Sequence, residues 1–555
     1  MKVVIVGGVA GGASAAARLR RLDEKAEIVI FEKTGHISYA NCGLPYYVGG
    51  VIESEDSLYL QTPESFYNRF RVTVKVSHEV LSIDRARKVV SVKRLSDGTV
   101  FEEGYDRLIL ATGARAIIPP GFDRDNVFTL KTSEDAVHIR KRIDKGGISR
   151  AAVIGGGFIG LEIAENLAAR GIDVVIVERS QHVLPNFDED MAAFVHKEIR
   201  GNGIRLLLDK GAESFDGSVL SLDSGERLNV DLVVLSIGVR PETELAKRAG
   251  LDLGVKDSIR VNDRLQTSDE SIYAVGDAVE VCEIVSGRRS VMPLAGPANK
   301  MGRIVADNIA SRDSRYKGSL GASILKVFKL TAASVGINES VARSTGVDYD
   351  YIIISPASHA SYYPGGKIMT MKVLFEKRTG RLLGAQIVGY DGVDKRIDVL
   401  ATALKCGLKA DKLAELELSY APPFSSAKDP VNMAGFVISN VLEGLVKQFS
   451  YKDIPELRKR GDVILLDTRT RKEVEGGIAE GFINIPLDEL RDNLERIGKD
   501  KKVYVMCQSG LRSYLATRIL TQNGYDAFNF RGGYGFYSAL ERDEKALKEG
   551  LGTGK

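Results

Sequence analysis

Short apolar runs, each followed by a glycine turn and then by a helical pattern, mark two similar units in the chain. The first reads VVIVGG at residues 3–8, a helix of small residues, and the strand IVIFE, which ends at Glu32. The second reads AAVIGGGFIG at residues 151–160, a helix, and the strand VVIVE, which ends at Glu178. Strand, turn, helix and strand in this order predict a βαβ unit. The pattern therefore predicts two nucleotide-binding units.

Two shorter strand and glycine signatures, LILATGAR at residues 108–115 and IYAVGDA at 272–278, stand before and after the second unit. Their positions indicate that the second unit is inserted in the first domain. After about residue 320, strand-rich segments precede helical segments that run to KQF at 447–449, which predicts a third domain. The strands VILLDTR and VYVMC and a helix from about Ser513 predict a fourth, α/β domain that starts near residue 450.

Size and charge narrow the class of protein. A chain of 555 residues exceeds the ~250–300 residues that one core accommodates, so several domains are expected. Lys and Arg number 77 against 74 Asp and Glu, which gives no field that would favour nucleic acid as a partner. No apolar run approaches the ~18 residues that span a bilayer, and the opening MKVVIVGG leaves no room for a signal peptide. We expect a cytoplasmic enzyme without a membrane partner.

The second glycine turn carries all three glycines of a dinucleotide fingerprint, Gly155, Gly157 and Gly160. Glycine permits the tight turn, lets the backbone approach the pyrophosphate and allows close helix packing. Glu178 ends the following strand, where a carboxylate can bind a ribose diol and would repel a 2′-phosphate. NADH is therefore favoured, with NADPH as the alternative because Arg179 follows Glu178 directly.

The first glycine turn is a weaker match to the same fingerprint. Gly7 and Gly12 fit the outer positions, but Val9 occupies the middle one. Glu32 lies 20 residues after Gly12, near the usual spacing of the ribose-binding acid. A second dinucleotide is the interpretation that this spacing favours.

The order of these pieces, with ATG at residues 111–113 and Gly276-Asp277 in IYAVGDA, resembles the FAD-dependent pyridine nucleotide-disulfide oxidoreductases over residues 1 to about 445. The resemblance implies an α/β fold in which a Rossmann-like NAD domain (116–244) interrupts a Rossmann-like FAD domain (1–115 and 245–322). An α+β dimerisation domain (323–447) follows. The predicted cofactor-binding residues are Gly7, Gly8, Ala10, Gly11, Gly12, Glu32, Lys33, Ala111, Thr112, Gly113, Asp277, Tyr420, Phe436, Gly155, Gly157, Gly160, Glu178 and Gly238.

The four cysteines are too few and too scattered for a disulfide scaffold or paired zinc ligands, so no metal site is predicted. Cys42 lies in ISYANCGLPYYVGG, where most disulfide reductases of this superfamily have C-x-x-x-x-C; position 47 is Tyr47 instead. A lone thiol facing a flavin can form a mixed disulfide, a persulfide or a sulfenic acid. Disulfide reductase, persulfide reductase and NADH oxidase or peroxidase therefore all stay open at this point.

SYANCGLPYY, together with HASYYPGG and LSYAPPFSSAKDPVN, resembles the coenzyme A-disulfide reductase branch of the family. This resemblance implies that Cys42 forms a mixed disulfide with coenzyme A in a homodimer. It also implies that Tyr362 and Tyr420 reach the cysteine from the partner subunit, where they orient or protonate a leaving thiolate. The predicted substrate-binding residues are Ser14, Arg18, Arg21, Ser38, Asn41, Cys42, Arg71, Asn299 and Lys428.

In VYVMCQSGLRS, Cys507 ends a strand and begins a loop that enters a helix, so the loop amides are expected to converge on the sulfur. With LLDTR and EGFINIP, this loop resembles a single rhodanese domain, placed at residues 450–555. The spacing C-x-x-x-x-R is one residue shorter than the phosphatase pattern. The resemblance implies a persulfide on Cys507, in a loop made of Cys507, Gln508, Ser509, Gly510, Leu511, Arg512 and Ser513.

The sequence therefore predicts NAD(P)H- and FAD-dependent reduction of coenzyme A disulfide, coenzyme A persulfide or polysulfide through Cys42, coupled to a sulfur-carrying domain at Cys507. Coenzyme A would be a substrate or a bound thiol, and the partners would be small sulfur compounds. Two alternatives are an NADH oxidase or peroxidase that uses a cysteine sulfenic acid, and a redox or sulfur sensor. The sequence does not rank the sulfur substrates.

Overall fold

The structure is a computed structural model that describes residues 1–548. It divides into two compact units: the first comprises Met1–Ser180 and Asp209–Gly321, and the second comprises Gln181–Leu208 and the described chain from Ala322 onward. Both units mix helices with sheets, so the predicted α/β class is confirmed. Among residues 1–548, no helix has both the length and the apolar character needed to cross a membrane.

A five-stranded parallel sheet of the first unit joins strands that are distant in sequence. Its order is Ile272–Ala274, Arg107–Leu110, Lys2–Val6, Glu27–Phe31 and Thr73–Lys75. The central strand has Val3, Val4 and Ile5 with no exposed surface, as expected for a parallel sheet covered on both faces. The strand after residue 272 completes a sheet that begins at residue 2, as an inserted domain requires.

A second parallel sheet in the first unit has the order Asp173–Val177, Arg150–Ile154, Leu232–Leu235 and Val127–Thr129. The helices of this unit are Ala10–Leu22, Leu44–Gly49, Pro63–Phe70, Ser133–Asp144, Phe158–Ala169, Glu244–Arg248 and Ala295–Ile309, with single turns at Asn41–Gly43, Glu55–Leu58, Val255–Asp257 and Gly276–Ala278. The remaining strands are His78–Asp84, Val89–Arg94, Val100–Gly104, Ala114–Ala116, Ala212–Phe215, Val219–Leu222, Arg227–Asn229, Val239–Pro241, Val281–Cys282 and Arg289–Ser290.

The second unit contains an antiparallel five-stranded sheet of order Ser323–Val327, Leu330–Gly336, Leu382–Gly389, Met369–Glu376 and Tyr349–Ile354. Around it the chain forms the helices Glu189–Gly201, Glu339–Thr345, Val393–Lys405 and Pro430–Leu442, the turn Ala410–Glu415 and the strand Arg205–Leu207. An antiparallel sheet combined with helices gives the α+β arrangement predicted for the third domain.

The C-terminal part of the second unit is built on a parallel sheet of order Lys447–Phe449, Ala527–Phe530, Lys502–Met506, Val463–Asp467 and Ile483–Asn484. Its helices are Ile454–Arg458, Arg471–Glu475, Leu511–Gln522 and Gly533–Lys548, with turns at Tyr451–Asp453 and Leu487–Arg496. Two details differ from the predictions. Residues 447–449 form the edge strand of this sheet instead of ending a helical stretch, and the helix predicted from about Ser513 begins at Leu511.

The C-terminal helix Gly533–Lys548 lies against helix Glu189–Gly201 within the second unit. Asp543 accepts hydrogen bonds from His196 Nδ1 (2.8 Å) and from the Arg200 guanidinium, and all three side chains are buried. The Val183 amide donates to His196 Nε2, so the imidazole is neutral with its proton on Nδ1. Burial lowers the pKa of His196 and keeps it in that form.

Candidate active site

The two glycine turns of the first unit have the same hydrogen-bond pattern. The amide of Gly7 donates to Phe31 O and that of Gly155 to Val177 O, both at 2.8 Å. The next amide in each turn donates to a carboxylate: Gly8 to Glu32 Oε2 at 2.8 Å, and Gly156 to Glu178 Oε2 at 2.6 Å. Both predicted ribose-binding acids therefore lie directly beside their turns.

Close backbone contacts explain why glycine occupies the outer fingerprint positions. A Cβ on Gly12 would lie 1.9 Å from Gly7 O, and a Cβ on Gly160 would lie 1.9 Å from Gly155 O. A Cβ on Gly157 would meet nothing within 4 Å, so the middle position faces open space where a pyrophosphate can approach. The open middle position also explains how Val9 can replace glycine in the first turn without disturbing the helix packing.

The ATG and GD segments lie at the same edge of the sheet as the first turn. The Ala111 amide donates to Val6 O (2.8 Å), and a Cβ on Gly7 would lie 2.2 Å from Ala111 O. Asp277 follows strand Ile272–Ala274, and its carboxylate is 3.2 Å from Lys131 Nζ. Ligands of open parallel sheets bind at the carboxyl ends of the strands, so these residues surround one dinucleotide crevice. Beside it, Ala10 begins the first helix and Lys33 is exposed after Glu32; Gly238 has φ +109° in the second nucleotide-binding unit.

Cys42 lies in the single turn Asn41–Gly43, and its side chain is accessible to solvent. Loss of hydration around the sulfur raises the pKa of the thiol, and the negative charge of Glu162 raises it further. Lys131 acts in the opposite direction, while Asp277 adds to the increase. Cys42 is thus an accessible thiol whose ionisation depends on three charged side chains that come from other parts of the first unit.

Tyr47, at the position of the second cysteine of two-cysteine reductases, is buried in helix Leu44–Gly49. The Arg140 guanidinium lies 4.5 Å from the centre of its ring and donates to Tyr47 O and Ile52 O, both at 2.9 Å. The position therefore serves packing and offers no resolving thiol.

Some of the predicted substrate-binding residues of the first unit already form contacts within the protein. Ser14 donates to Asn299 Oδ1, and Arg18 forms an ion pair with Asp307 at 2.7 Å. Arg21 is exposed on the same helix; Ser38 and Arg71 have φ values of +46° and +48°. Asn41 Oδ1, next to Cys42, is buried and finds no hydrogen-bond donor among the described residues, as expected for an atom that awaits a ligand.

Tyr362 and Tyr420 meet in the second unit, where their hydroxyl oxygens are 2.6 Å apart. Both rings are exposed, at 73% and 46%. The hydrogen bond to Tyr362 raises the pKa of Tyr420. One phenol of such a pair donates to the other, so the pair retains a proton that it can give to an anion. Phe436 and Lys428 are also exposed in this unit.

Cys507 follows strand Lys502–Met506 and has no exposed surface. The Gly510 amide donates to Cys507 Sγ at 3.2 Å, so one of the loop amides that were expected to converge on the sulfur contacts it. Gly510 itself has φ +101°, which allows the loop to turn directly into helix Leu511–Gln522. The loop residues Gln508, Ser509 and Ser513 complete this turn, and Ser513 Oγ donates to Gly510 O.

Ion pairs surround the Cys507 loop. Arg512 donates to both carboxylate oxygens of Glu473 at 2.7 Å, and these bonds lower the pKa of Glu473 to about 2. Beneath them, Arg469 and Asp467 form a fully buried pair at 2.7 Å, and the Tyr534 ring lies 3.6 Å from the Arg469 guanidinium. The guanidinium groups of Arg512 and Arg469 are therefore each neutralised by a carboxylate.

Family models match three successive parts of the chain. "Pyridine nucleotide-disulphide oxidoreductase" matches residues 1–302, the dimerisation domain of the same enzymes matches 322–430, and a rhodanese-like domain matches 450–539. The chain belongs to the pyridine nucleotide-disulphide oxidoreductase family. FAD and NADH are the cofactors that membership of this family supports, and the two glycine turns fit two dinucleotides.

Relatives of this oxidoreductase match either about four fifths of its chain or nearly its whole length. A coenzyme A disulfide reductase of Staphylococcus haemolyticus is 38% identical over 436 residues, 78% of this chain and 98% of the relative. Reduced Bacillus anthracis CoADR-RHD is 45% identical, with a TM-score of 0.96 over 98% of each chain. An NAD-dependent persulfide reductase from A. fulgidus is 38% identical, with a TM-score of 0.91 over 97% of this chain and 100% of the other.

Several residues that surround the two cysteines of this oxidoreductase escaped the sequence analysis. They are Tyr46, Lys131 and Glu162 near Cys42, and Glu473 and Tyr534 near Cys507. Glu162 lies two positions after Gly160 on the fingerprint helix, which is a usable signal for a residue close to the second glycine turn. Lys131 and Glu473 carry no such local signal, because Lys131 is distant in sequence from Cys42 and Glu473 is distant in sequence from Cys507.

Proposed function

We propose that this chain reduces coenzyme A disulfide or coenzyme A persulfide with electrons from NADH, and that Cys42 is its redox-active residue. The accessible single thiol of Cys42 carries the proposal, since it stands beside the dinucleotide crevice without a resolving cysteine at position 47. The identity to coenzyme A disulfide reductases across residues that include this site supports the same substrate class. The persulfide reductase and the fused rhodanese-like domain support sulfane sulfur as the cargo.

The proposed chemistry at Cys42 consists of one thiol–disulfide exchange and one two-electron reduction. The Cys42 thiolate attacks one sulfur of the substrate, its S–S bond breaks, and a coenzyme A thiolate or a hydrosulfide leaves with the electron pair. This leaves a Cys42–S–S–coenzyme A mixed disulfide. The first glycine turn and Glu32 would hold FAD, and that cofactor would supply the two electrons from NADH that split this disulfide. The thiolate that leaves takes up a proton.

The proton donor in this proposal is the Tyr362 and Tyr420 pair, reaching Cys42 of the partner subunit. The match to a dimerisation domain supports a homodimer, and the exposure of both rings suits a role toward another chain. Ser14, Arg18, Arg21, Ser38, Asn41, Arg71, Asn299 and Lys428 would bind coenzyme A. The domain boundaries of the sequence analysis and a cytoplasmic location belong to the same proposal.

Cys507 would carry sulfane sulfur as a persulfide and exchange it with a small thiol. Its burial at the end of a strand and the amide bond to Sγ suit a sulfur that is held by backbone geometry. NADH is the proposed electron donor, because the Glu178 carboxylate beside the second turn would repel a 2′-phosphate.

A substrate panel tests the proposal directly. NADH oxidation by the FAD-loaded enzyme is measured with coenzyme A disulfide, coenzyme A persulfide and, as matched controls, glutathione disulfide and glutathione persulfide. We expect one or both coenzyme A compounds to give the highest kcat/KM, with release of thiol or hydrosulfide. Rapid oxygen consumption without any thiol substrate would instead indicate an NADH oxidase, and slow turnover of every sulfur compound would indicate a sensor.

A further inference from the structure

Two separate stretches of the second unit carry the tyrosine pair. Tyr362 lies in the connection between strands Tyr349–Ile354 and Met369–Glu376, and Tyr420 precedes helix Pro430–Leu442. The Ala360 amide donates to Ser425 O at 3.0 Å, so the two stretches are also joined behind the tyrosines. The two stretches thus have an exposed end, where the tyrosine hydroxyls meet, and a buried end behind it. The contact between the hydroxyls therefore depends on how the stretches are held together at the buried end.

Arg396 lies at that buried end. It comes from helix Val393–Lys405, and only 1% of its surface is exposed. Its guanidinium donates to Ser358 O at 2.9 Å in the first stretch and to Ser425 Oγ at 3.0 Å in the second. A planar guanidinium fixes the directions of its donors, so one side chain sets the distance between the two stretches.

Asp429 completes the same network. It is 2% exposed and accepts hydrogen bonds from Arg396 Nη2 (2.9 Å), Ser425 Oγ (2.6 Å) and the Val431 amide (3.0 Å). Burial raises the pKa of Asp429, but these hydrogen bonds outweigh that effect and hold the pKa below its usual range. The carboxylate stays charged, and both buried charges are paired and hydrogen-bonded, as a stable network requires.

Arg396 also lines a cavity of about 420 Å³ in the second unit. Its lining includes Tyr420, Lys395, Phe424 and Arg396. Lys395 Nζ donates to Ser419 O, next to Tyr420, at 3.2 Å. A displacement of Arg396 would therefore change the shape of the cavity on the side where Tyr420 lies.

We propose that Arg396 and Asp429 are positioning residues that hold Tyr362 and Tyr420 in hydrogen-bond contact for proton donation. The inference rests on the proposed function, in which this tyrosine pair serves the thiolate that leaves Cys42 of the partner subunit. The two exposed hydroxyls gain little from their own contact, because water competes for each of them. Ser358 stands four residues before Tyr362 and Ser425 five after Tyr420, so the buried network is close enough in sequence to set both positions.

Steady-state kinetics of the full-length holoenzyme test the inference with Arg396→Lys, which keeps the charge and loses the fork of donors. We expect kcat for coenzyme A disulfide to fall about tenfold, since small misplacements of a catalytic group cost up to about a hundredfold. Tyr420→Phe should cause a similar loss. The double variant should be no slower than Tyr420→Phe alone, because both changes act on the same step.

Arg200→Lys is the matched control, since Arg200 is also buried against one carboxylate, that of Asp543, and lies on a helix remote in sequence from both tyrosines. We expect it to lower Tm as Arg396→Lys does but to leave kcat unchanged.

Ser425→Ala removes one bond of the network and should give a smaller loss of kcat if Arg396→Lys does not fold. Normal kcat in Arg396→Lys with a slow Tyr420→Phe, or additive losses in the double variant, would overturn the inference. Normal kcat in Tyr420→Phe would instead overturn the proposed role of the tyrosines.

Discussion

Cys42 and Cys507 are both proposed sulfur carriers, yet their surroundings differ in almost every respect. Cys42 is accessible, yet loss of hydration raises the pKa of its thiol; Glu162 raises that pKa further and Lys131 lowers it. Cys507 is fully buried after a strand, receives a backbone amide at its sulfur and lies among ion pairs that neutralise one another. The reactivity of Cys42 therefore depends on nearby charge, whereas that of Cys507 depends on backbone geometry. Changes of charge should affect the first, and changes of backbone shape the second.

The largest expected effect is a change in the backbone behind Cys507. Gly533 has φ +75°, and a Cβ there would lie 2.6 Å from Ser509 N and 2.7 Å from Gln508 C. Gly533→Ala should displace the loop and reduce sulfur transfer, measured by cyanolysis of a persulfide donor, by about a hundredfold. NADH-dependent reduction of coenzyme A disulfide should be unchanged.

Gly524→Ala is the control for backbone strain alone. Gly524 has φ +85° in the same domain, but a Cβ there would meet nothing within 4 Å. It should cost about 1 kcal/mol of stability and leave sulfur transfer intact. Equal losses of sulfur transfer in both variants would contradict the claim that the loop contact matters.

Changes of charge near Cys42 should have smaller effects on the reactivity of its thiol. The loss of an anion and the loss of a cation should act in opposite directions. Glu162→Gln removes a negative charge that raises the pKa of the Cys42 thiol, so the thiolate fraction at pH 7 increases. We expect alkylation of Cys42 by iodoacetamide to accelerate about three- to tenfold, followed by peptide mass spectrometry on reduced enzyme. Lys131→Met should slow it, and the Cys507 peptide serves as the internal reference. Faster labelling in both variants would show that they act by opening the site.

The smallest expected effect is on the free energy of unfolding, to which the ion pair of Glu473 and Arg512 beside Cys507 contributes. Glu473 has a pKa of about 2 in the folded chain, below its ordinary value of about 4.3, so its contribution is present above pH 4.3 and is lost as the pH falls toward 2. Glu473→Gln should lower stability at pH 7 by about 1 kcal/mol, because the pair is partly exposed.

Calorimetry at pH 7 and pH 3.5 checks this dependence. The Tm difference between wild type and Glu473→Gln should shrink at the lower pH. Glu489→Gln, which breaks the more exposed ion pair with Arg471, should leave Tm unchanged at either pH. A Tm difference that grows at low pH would mean that the carboxylate destabilises the fold.

Local patterns predicted the parts of this molecule that are formed by neighbouring residues. Strand, glycine turn and helix identified both nucleotide-binding units, and the contacts of Gly12 and Gly160 explain why that signal is strong. The strand Lys447–Phe449 was missed because its partner, Ala527–Phe530, follows about 80 residues later. Leu511 begins its helix because Gly510 adopts a left-handed conformation, which the sequence pattern did not define.

The residues of the candidate site also divide into those that local sequence predicts and those that only tertiary structure brings together. Cys42, Cys507 and the tyrosines stand in recognisable motifs, so their positions were predictable. Glu162, Lys131 and Arg396 act through contacts with residues that are up to about 120 positions away, and tertiary structure alone brings such residues together. Whether a charge lies next to a thiol is decided by packing between elements, not by the motif that contains the thiol.

The most direct test of the contrast between the two cysteines measures NADH oxidation with coenzyme A disulfide by wild type, Cys42→Ser and Cys507→Ser. All three proteins must carry the same FAD content and the same oligomeric state. The account predicts that Cys42→Ser loses at least about a thousandfold in kcat, as removal of a covalent catalyst does, while Cys507→Ser retains the wild-type rate. Retained activity in Cys42→Ser, or an equal loss in Cys507→Ser, would contradict the assignment of NADH-driven reduction to Cys42.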